Sequence, residues 1–137
     1  MYATVDMMTA KFGLTEVIAL SDRDRTGEPN EAVLAEALDA ATSEIEAYLA
    51  GRYALPLASV PKVVAGFCCD IARFQLCGHG TSMTDEIRKR YDAAIGFFKL
   101  VADGKVTLGV APAGDVPQSD NAVHFVPGAR VFGRDVR

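Results

Sequence analysis

The run with the most chemistry in it is Asp22-Arg23-Asp24-Arg25-Thr26-Gly27. It begins as a calcium loop begins, with side-chain oxygens at positions 1, 3 and 5 and a glycine at 6. Position 12 needs a bidentate glutamate, and here it is Val33. Arg23 and Arg25 add positive charge beside the would-be site. The run is therefore expected to be an Asx-type turn, in which an aspartate accepts from the backbone that follows it.

The two histidines, His79 and His124, have no Cys, Asp or Glu nearby at ligand or triad spacing, so a surface role is expected. The three cysteines are Cys68, Cys69 and Cys77. An odd count without C-x-x-C spacing fits neither a disulfide framework nor a zinc site. Free thiols in a reducing compartment fit better. Cys68 is placed with Val64 and Ile71 on a core face, where a thiol acts as a small hydrophobe. A nucleophilic thiol would need a neighbouring histidine or a helix N-terminus.

Asp70 and Arg73 are spaced i,i+3 on an otherwise apolar segment and are expected to pair with each other. If buried, the pair is expected to set register or an inter-subunit contact. The chain has no G-x-S-x-G, no P-loop, no G-x-G-x-x-G and no H-E-x-x-H. Neither enzymatic activity nor a cofactor nor a metal is expected.

These residues sit in 137 positions, 50% apolar and 23% charged, which suits one globular domain. No apolar run approaches membrane-span length. The N-terminus has no basic segment followed by a signal-type apolar stretch, so an intracellular product is expected. The net charge of −4 disfavours a protein that grips DNA by its phosphates.

The elements that would position these residues read as follows. Thr4 is expected to cap a short helix ending near Gly13, and Thr15 a second one, Glu16 to Leu20. Asn30 should cap a long helix with Leu34, Leu38, Ala41, Ile45, Tyr48 and Leu49 on its apolar stripe and Gly51 at C′. Its opposite side carries Glu36, Asp39, Glu44 and Glu46, and no Lys or Arg occurs between Arg25 and Arg52. Pro61 suits the first turn of the next helix. That helix, running to about Cys77, is apolar nearly all round and is expected to be central, covered on more than one side. Thr84 should cap the last helix, with Ile87, Tyr91, Ala94, Ile95, Phe98 and Val101 facing inward and Gly104 ending it.

The expected fold is mainly α, a small bundle of four to five helices over residues 1–108. A flexible linker, 109–122, and a β-prone arm, 123–137, follow, the arm being either a hairpin about Pro127-Gly128 or an extended strand. Val123, Phe125, Val131 and Phe132 give the arm apolar side chains, and Arg130, Arg134 and Arg137 against Asp135 leave its end basic. Such a tail is expected to order on a partner by strand addition or docked aromatics.

Several blocks occur in order along nearly the whole chain: Asp22-Arg23-Asp24; Glu44-Ile45-Glu46-Ala47-Tyr48-Leu49-Ala50-Gly51-Arg52-Tyr53-Ala54-Leu55-Pro56-Leu57; Cys69-Asp70-Ile71-Ala72-Arg73; Arg90-Tyr91-Asp92-Ala93-Ala94-Ile95; Gly104-Lys105-Val106-Thr107-Leu108-Gly109; and Arg130-Val131-Phe132-Gly133-Arg134-Asp135. Together they resemble a family of small proteins from Mu-like phages and prophages. The resemblance implies a head–tail adaptor of the virion neck, made in the host bacterial cytoplasm. It implies a homo-oligomeric ring, usually a dodecamer, beneath the portal protein, with a lumen for DNA. The next neck protein or a tail terminator would be the other partner, and no membrane is involved. The family brings no catalytic residues. The portal-binding arm would use Val123, Phe125, Arg130, Val131, Phe132 and Arg134. The central or inter-subunit helix would use Phe67, Asp70, Arg73 and Phe74. The alternatives are a small phage-encoded regulatory module that binds DNA or a host protein, for which Arg88-Lys89-Arg90 is the candidate basic cluster, and a thiol enzyme acting through Cys69 or Cys77.

Overall fold

A computed structural model describes residues 1–78 and 82–110. Thr4 caps α1 (Val5–Phe12), its Oγ1 accepting from Met7 N at 3.2 Å. This satisfies one of the amides a helix start leaves without an internal partner. α1 ends at Gly13, whose φ of +89° is a conformation that side chains oppose. The same glycine stands at the N-cap of α2 (Leu14–Ser21). Thr15, expected to be the cap, is therefore already inside the first turn, and it is exposed. The glycine turn lets the chain re-enter a helix immediately, so no side-chain cap is needed to redirect it.

Ser21 joins α2 to the next helix. Its hydroxyl donates to Val17 O at 2.7 Å and accepts from Asn30 N at 3.1 Å. Asn30 caps α3 (Glu31–Leu49) through Val33 N at 3.2 Å. Leu34, Leu38, Ala41, Ile45 and Leu49 are fully buried, as their spacing requires. Glu36 and Asp39 face solvent, but Glu44 and Glu46 do not share that face. Glu44 accepts from Tyr91 and Gln75, and Glu46 accepts from Tyr2.

α4 (Lys62–Leu76) begins one residue after Pro61, which is its N-cap rather than part of its first turn. It packs along α3 and α5 and also meets α2, so the helix expected to be central is central. α5 (Asp85–Ala102) starts from Thr84, whose Oγ1 accepts from Ile87 N at 3.2 Å. Gly104, at φ +82°, turns the chain away after it. The described residues form five helices and no strand. The Val123–Phe132 hairpin and most of the linker expected from Gly109 onward lie outside the described residues, as do His79 and His124.

The core lies between α3, α4 and α5, and α1 and α2 close one side of it with Met8, Val17 and Leu20. Burying each such side chain contributes about 1.5–3 kcal/mol. Two tyrosines outside the helices complete the packing. Tyr2 is 5% exposed; its backbone N donates to Thr42 Oγ1 at 3.0 Å, and its hydroxyl donates to Glu46 at 2.8 Å and accepts from Leu57 N at 3.2 Å. Tyr53 is buried, and its hydroxyl accepts from Leu108 N at 3.1 Å. Arg52 donates to Val101 O at 2.8 Å. These bonds fasten the chain on both sides of the bundle to its middle.

Candidate functional site

α4 has two sides of different character. Cys68 and Gln75 face α3: Cys68 Sγ lies 3.7 Å from Thr42 Oγ1, and Gln75 Nε2 donates to Glu44 at 3.0 Å. Lys62, Gly66, Asp70 and Arg73 recur at helical spacing on the side away from α3. That side carries the charged residues singled out in the sequence.

Asp70 and Arg73 do not pair with each other. Asp70 Oδ1 lies 2.9 Å from Lys11 Nζ of α1 and 3.9 Å from Arg90 Nη1 of α5. The Lys11 ammonium hydrogen-bonds Gly66 O at 2.9 Å, and its contact with Asp70 is an ion pair without an aligned hydrogen bond. Arg73 Nε donates to Glu16 Oε1 of α2 at 2.7 Å, and its guanidinium lies 4.5 Å from the centre of the Phe12 ring. Glu86 lies 3.9 Å from Arg73 Nη1 and 2.9 Å from Arg90 Nη2. The chain of charge Lys11–Asp70–Arg90–Glu86–Arg73–Glu16 thus crosses α1, α4, α5 and α2. Its inner side chains, Asp70 and Arg73, are 8% and 9% exposed, and its outer ones, Arg90 and Glu86, are 44% and 60% exposed. The inner contacts are shielded from salt, and the outer ones are screened and weak. Partners this far apart in sequence cannot be read from i,i+3 spacing.

Phe67 and Phe74 lie on the α4–α5 seam. Phe67 meets Phe97 and Phe98 with ring centres 5.0 and 5.9 Å apart. Phe74 stacks on Tyr91 at 3.9 Å. Both are half-buried, so they already serve packing within one subunit.

Between α1 and the first half of α4 lies an open groove of about 430 Å³, lined by Met7, Ala10, Lys11, Lys62, Ala65, Gly66 and Cys69. Met7 is 47% exposed, and Val63 on the adjacent turn is 45% exposed. Sequence reasoning missed this groove, because nothing in the spacing of α1 shows where it meets α4.

Burial pushes the Cys69 thiol up to about 11, and it raises Cys68 and Cys77 as well. A nucleophilic thiol needs the opposite shift. Asp22 Oδ1 accepts from Thr26 N at 2.8 Å and from its hydroxyl at 3.1 Å, and Oδ2 accepts from Gly27 N at 2.7 Å. These bonds, those from the Thr26 and Gly27 amides above all, hold its carboxyl below the usual range. Both oxygens serve the turn expected from the sequence. Among the described residues no group of three or more His, Cys, Asp or Glu is placed to hold a metal, and no helix is long and apolar enough to cross a membrane.

Of the basic cluster, Arg88 and Lys89 are exposed, but Arg90 is engaged by Glu86 and Asp70. Val123, Phe125, Arg130, Val131, Phe132 and Arg134 lie outside the described residues. Lys11 and Glu16, which complete the charge network, lie on short helices that no motif marks.

The family described as "Bacteriophage Mu, Gp36" matches residues 2–126. The chain is 32% identical over 135 residues to the "Mu-like prophage FluMu protein gp36" of Haemophilus influenzae, covering 98% of this chain and 94% of that protein. It is 33% identical over 136 residues to "Gene product J" of Escherichia phage Mu, covering 97% of this chain and 94% of that protein. A match of this extent establishes that the chain belongs to the Bacteriophage Mu Gp36 family.

Proposed function

We propose that this protein is a structural head–tail adaptor of a Mu-like phage. Copies form a ring below the portal, DNA passes through the lumen, and the opposite face of the ring meets the next neck protein or a tail terminator. The observation that carries the reading is the match to a phage Mu gene product along 97% of the chain. The physical character of the body supports it. The helices are tied together by cross-element contacts, of which the charge chain on α4 is the most extended. A body so tied can hold its shape while its surfaces carry the assembly.

The mechanism is assembly rather than chemistry. Burial of apolar surface between copies closes the ring, and many weak contacts add by avidity. The net charge of −4 suits a passage through which DNA must slide, since a basic wall would hold its phosphates. Residues 123–137 form the portal-binding arm, with Phe125 and Phe132 as anchors and main-chain hydrogen bonds as the source of affinity.

The test is co-sedimentation with portal rings. A chain lacking residues 123–137 should keep the helical circular-dichroism spectrum of the full chain and lose sedimentation with the portal. Retained sedimentation would refute the arm assignment.

A further inference from the structure

We propose that the α1–α4 groove of one copy receives the outer face of α3 from a second copy. The inference rests on the ring reading above and names the two surfaces that meet.

The groove asks for an acidic helix. Its lining includes no acidic residue, and of its two lysines Lys11 is already held by Asp70 and Gly66 O, whereas Lys62 is exposed at the mouth. It opens beside the N-terminus of α4, whose first turn contains no acid and has no side-chain cap. The amides and dipole there favour negative charge. The outer face of α3 offers that charge. Ala32, Glu36, Asp39, Ala40, Ser43 and Ala47 are all exposed and share one face of the helix. No Lys or Arg lies within α3, and among the described residues the one cation beside this face is Arg23, which shares a pocket with Glu36 and Ala40 and leaves Asp39 outside it.

The shapes also agree. Ala10, Ala65 and Gly66 on one side and Ala32, Ala40, Ser43 and Ala47 on the other are small, so the helix axes can approach at the near end of the usual 8–10 Å range. A Cβ at Gly66 would meet only Lys11 Nζ, at 3.7 Å, so the fold itself does not require glycine there. A helix-interior glycine weakens the helix relative to alanine, and close approach of a neighbour accounts for it. Met7 and Val63, both nearly half exposed, supply the apolar area that such a contact would cover.

The two surfaces lie on opposite sides of the body, because α4 has α3 on one side and the groove on the other. A contact between two different surfaces is heterologous, and repetition of it gives rings or filaments rather than closed pairs.

The test uses the full chain. Self-association is followed by sedimentation velocity across a concentration series, alone and on portal rings. Lys62→Glu and Asp39→Lys should each weaken association by about tenfold. The double variant, in which every contact carries the reversed pair, should recover most of it. Gly66→Leu should keep the fold, read by circular dichroism and thermal melting, and lose association by filling the groove. A chain that stays monomeric in both settings, or swaps that change nothing, or a double variant no better than the singles, overturns the pairing. If the swaps behave as stated while the wild-type chain is absent from virions, the pairing stands and the neck reading fails. If the chain is in virions and the swaps have no effect there or in solution, the pairing alone fails.

Discussion

Asp70 and Arg73 sit less than one turn apart on α4 and turn to different helices: Asp70 to Lys11 of α1, Arg73 to Glu16 of α2. Each is more than nine-tenths buried, so removing a partner leaves charge that water cannot reach. Glu16→Ala, which strands the buried guanidinium, should cost about 3 kcal/mol in denaturant unfolding. Arg73→Ala, which uncovers Phe12 but leaves only the 29% exposed Glu16 without its partner, should cost about 1–2 kcal/mol. Arg73→Met keeps much of the volume and should cost less, and adding Glu16→Gln to it should recover part of the loss. An Arg73→Ala change within error of the wild type would show that the inner network carries no stability.

The fold should weaken in alkali from two hydroxyls bound to α3. Burial, with the Glu46 hydrogen bond adding to it, pushes Tyr2 up to about 12 from 10.0, and the Glu44 hydrogen bond, with burial adding to it, does the same for Tyr91. In both, the native state holds the neutral phenol more tightly than the unfolded chain does. Their contribution is therefore whole below pH 10 and is lost as pH rises from there toward 12. The urea midpoint should fall across that window, and the fall should be shallower in Tyr91→Phe. A midpoint flat from pH 9 to 11.5 would contradict this.

Asp22 acts at the other end of the scale. Hydrogen bonds from the turn it closes lower its carboxyl pKa, so its stabilising effect is present above the ordinary value of 3.8 and disappears as pH falls below it. Asp22→Ala should lower the melting temperature at pH 7, and the difference from the wild type should shrink steadily as pH falls below 3.8. Calcium should not raise the wild-type melting temperature. A calcium-dependent rise would reopen the loop as a cation site.

Much of this was legible in the sequence because local rules governed it. Thr4, Asn30 and Thr84 announce their helices as N-caps, and the stripe from Leu34 to Leu49 states which side of α3 is buried. Thr15 misled because it looks like a cap, whereas Gly13 does the work through a backbone conformation that sequence does not print. Asp70 and Arg73 misled because i,i+3 spacing suggests a pair, while burial turned each toward a helix more than 50 residues away. Tyr2, Arg52 and Tyr53 were silent for the same reason: their partners, Glu46, Val101 and Leu108, are neighbours only in space. The groove beside Gly66 depends on where α1 comes to rest, which periodicity cannot give.

The thiols separate a structural reading from an enzymatic one. Cys68 and Cys69 are buried, Cys77 is half-buried, and burial raises all three. Ellman's reagent at pH 8 should find Cys77 reacting slowly and Cys68 and Cys69 only on unfolding. One thiol reacting rapidly near neutral pH would revive a catalytic role.

The most direct measurement is electron microscopy of purified virions together with mass spectrometry of their proteins. The chain should be present in many copies, as a ring of helical density between portal and tail, with its basic C-terminal residues against the portal. Virions that carry no copy of it would contradict the assignment to the neck.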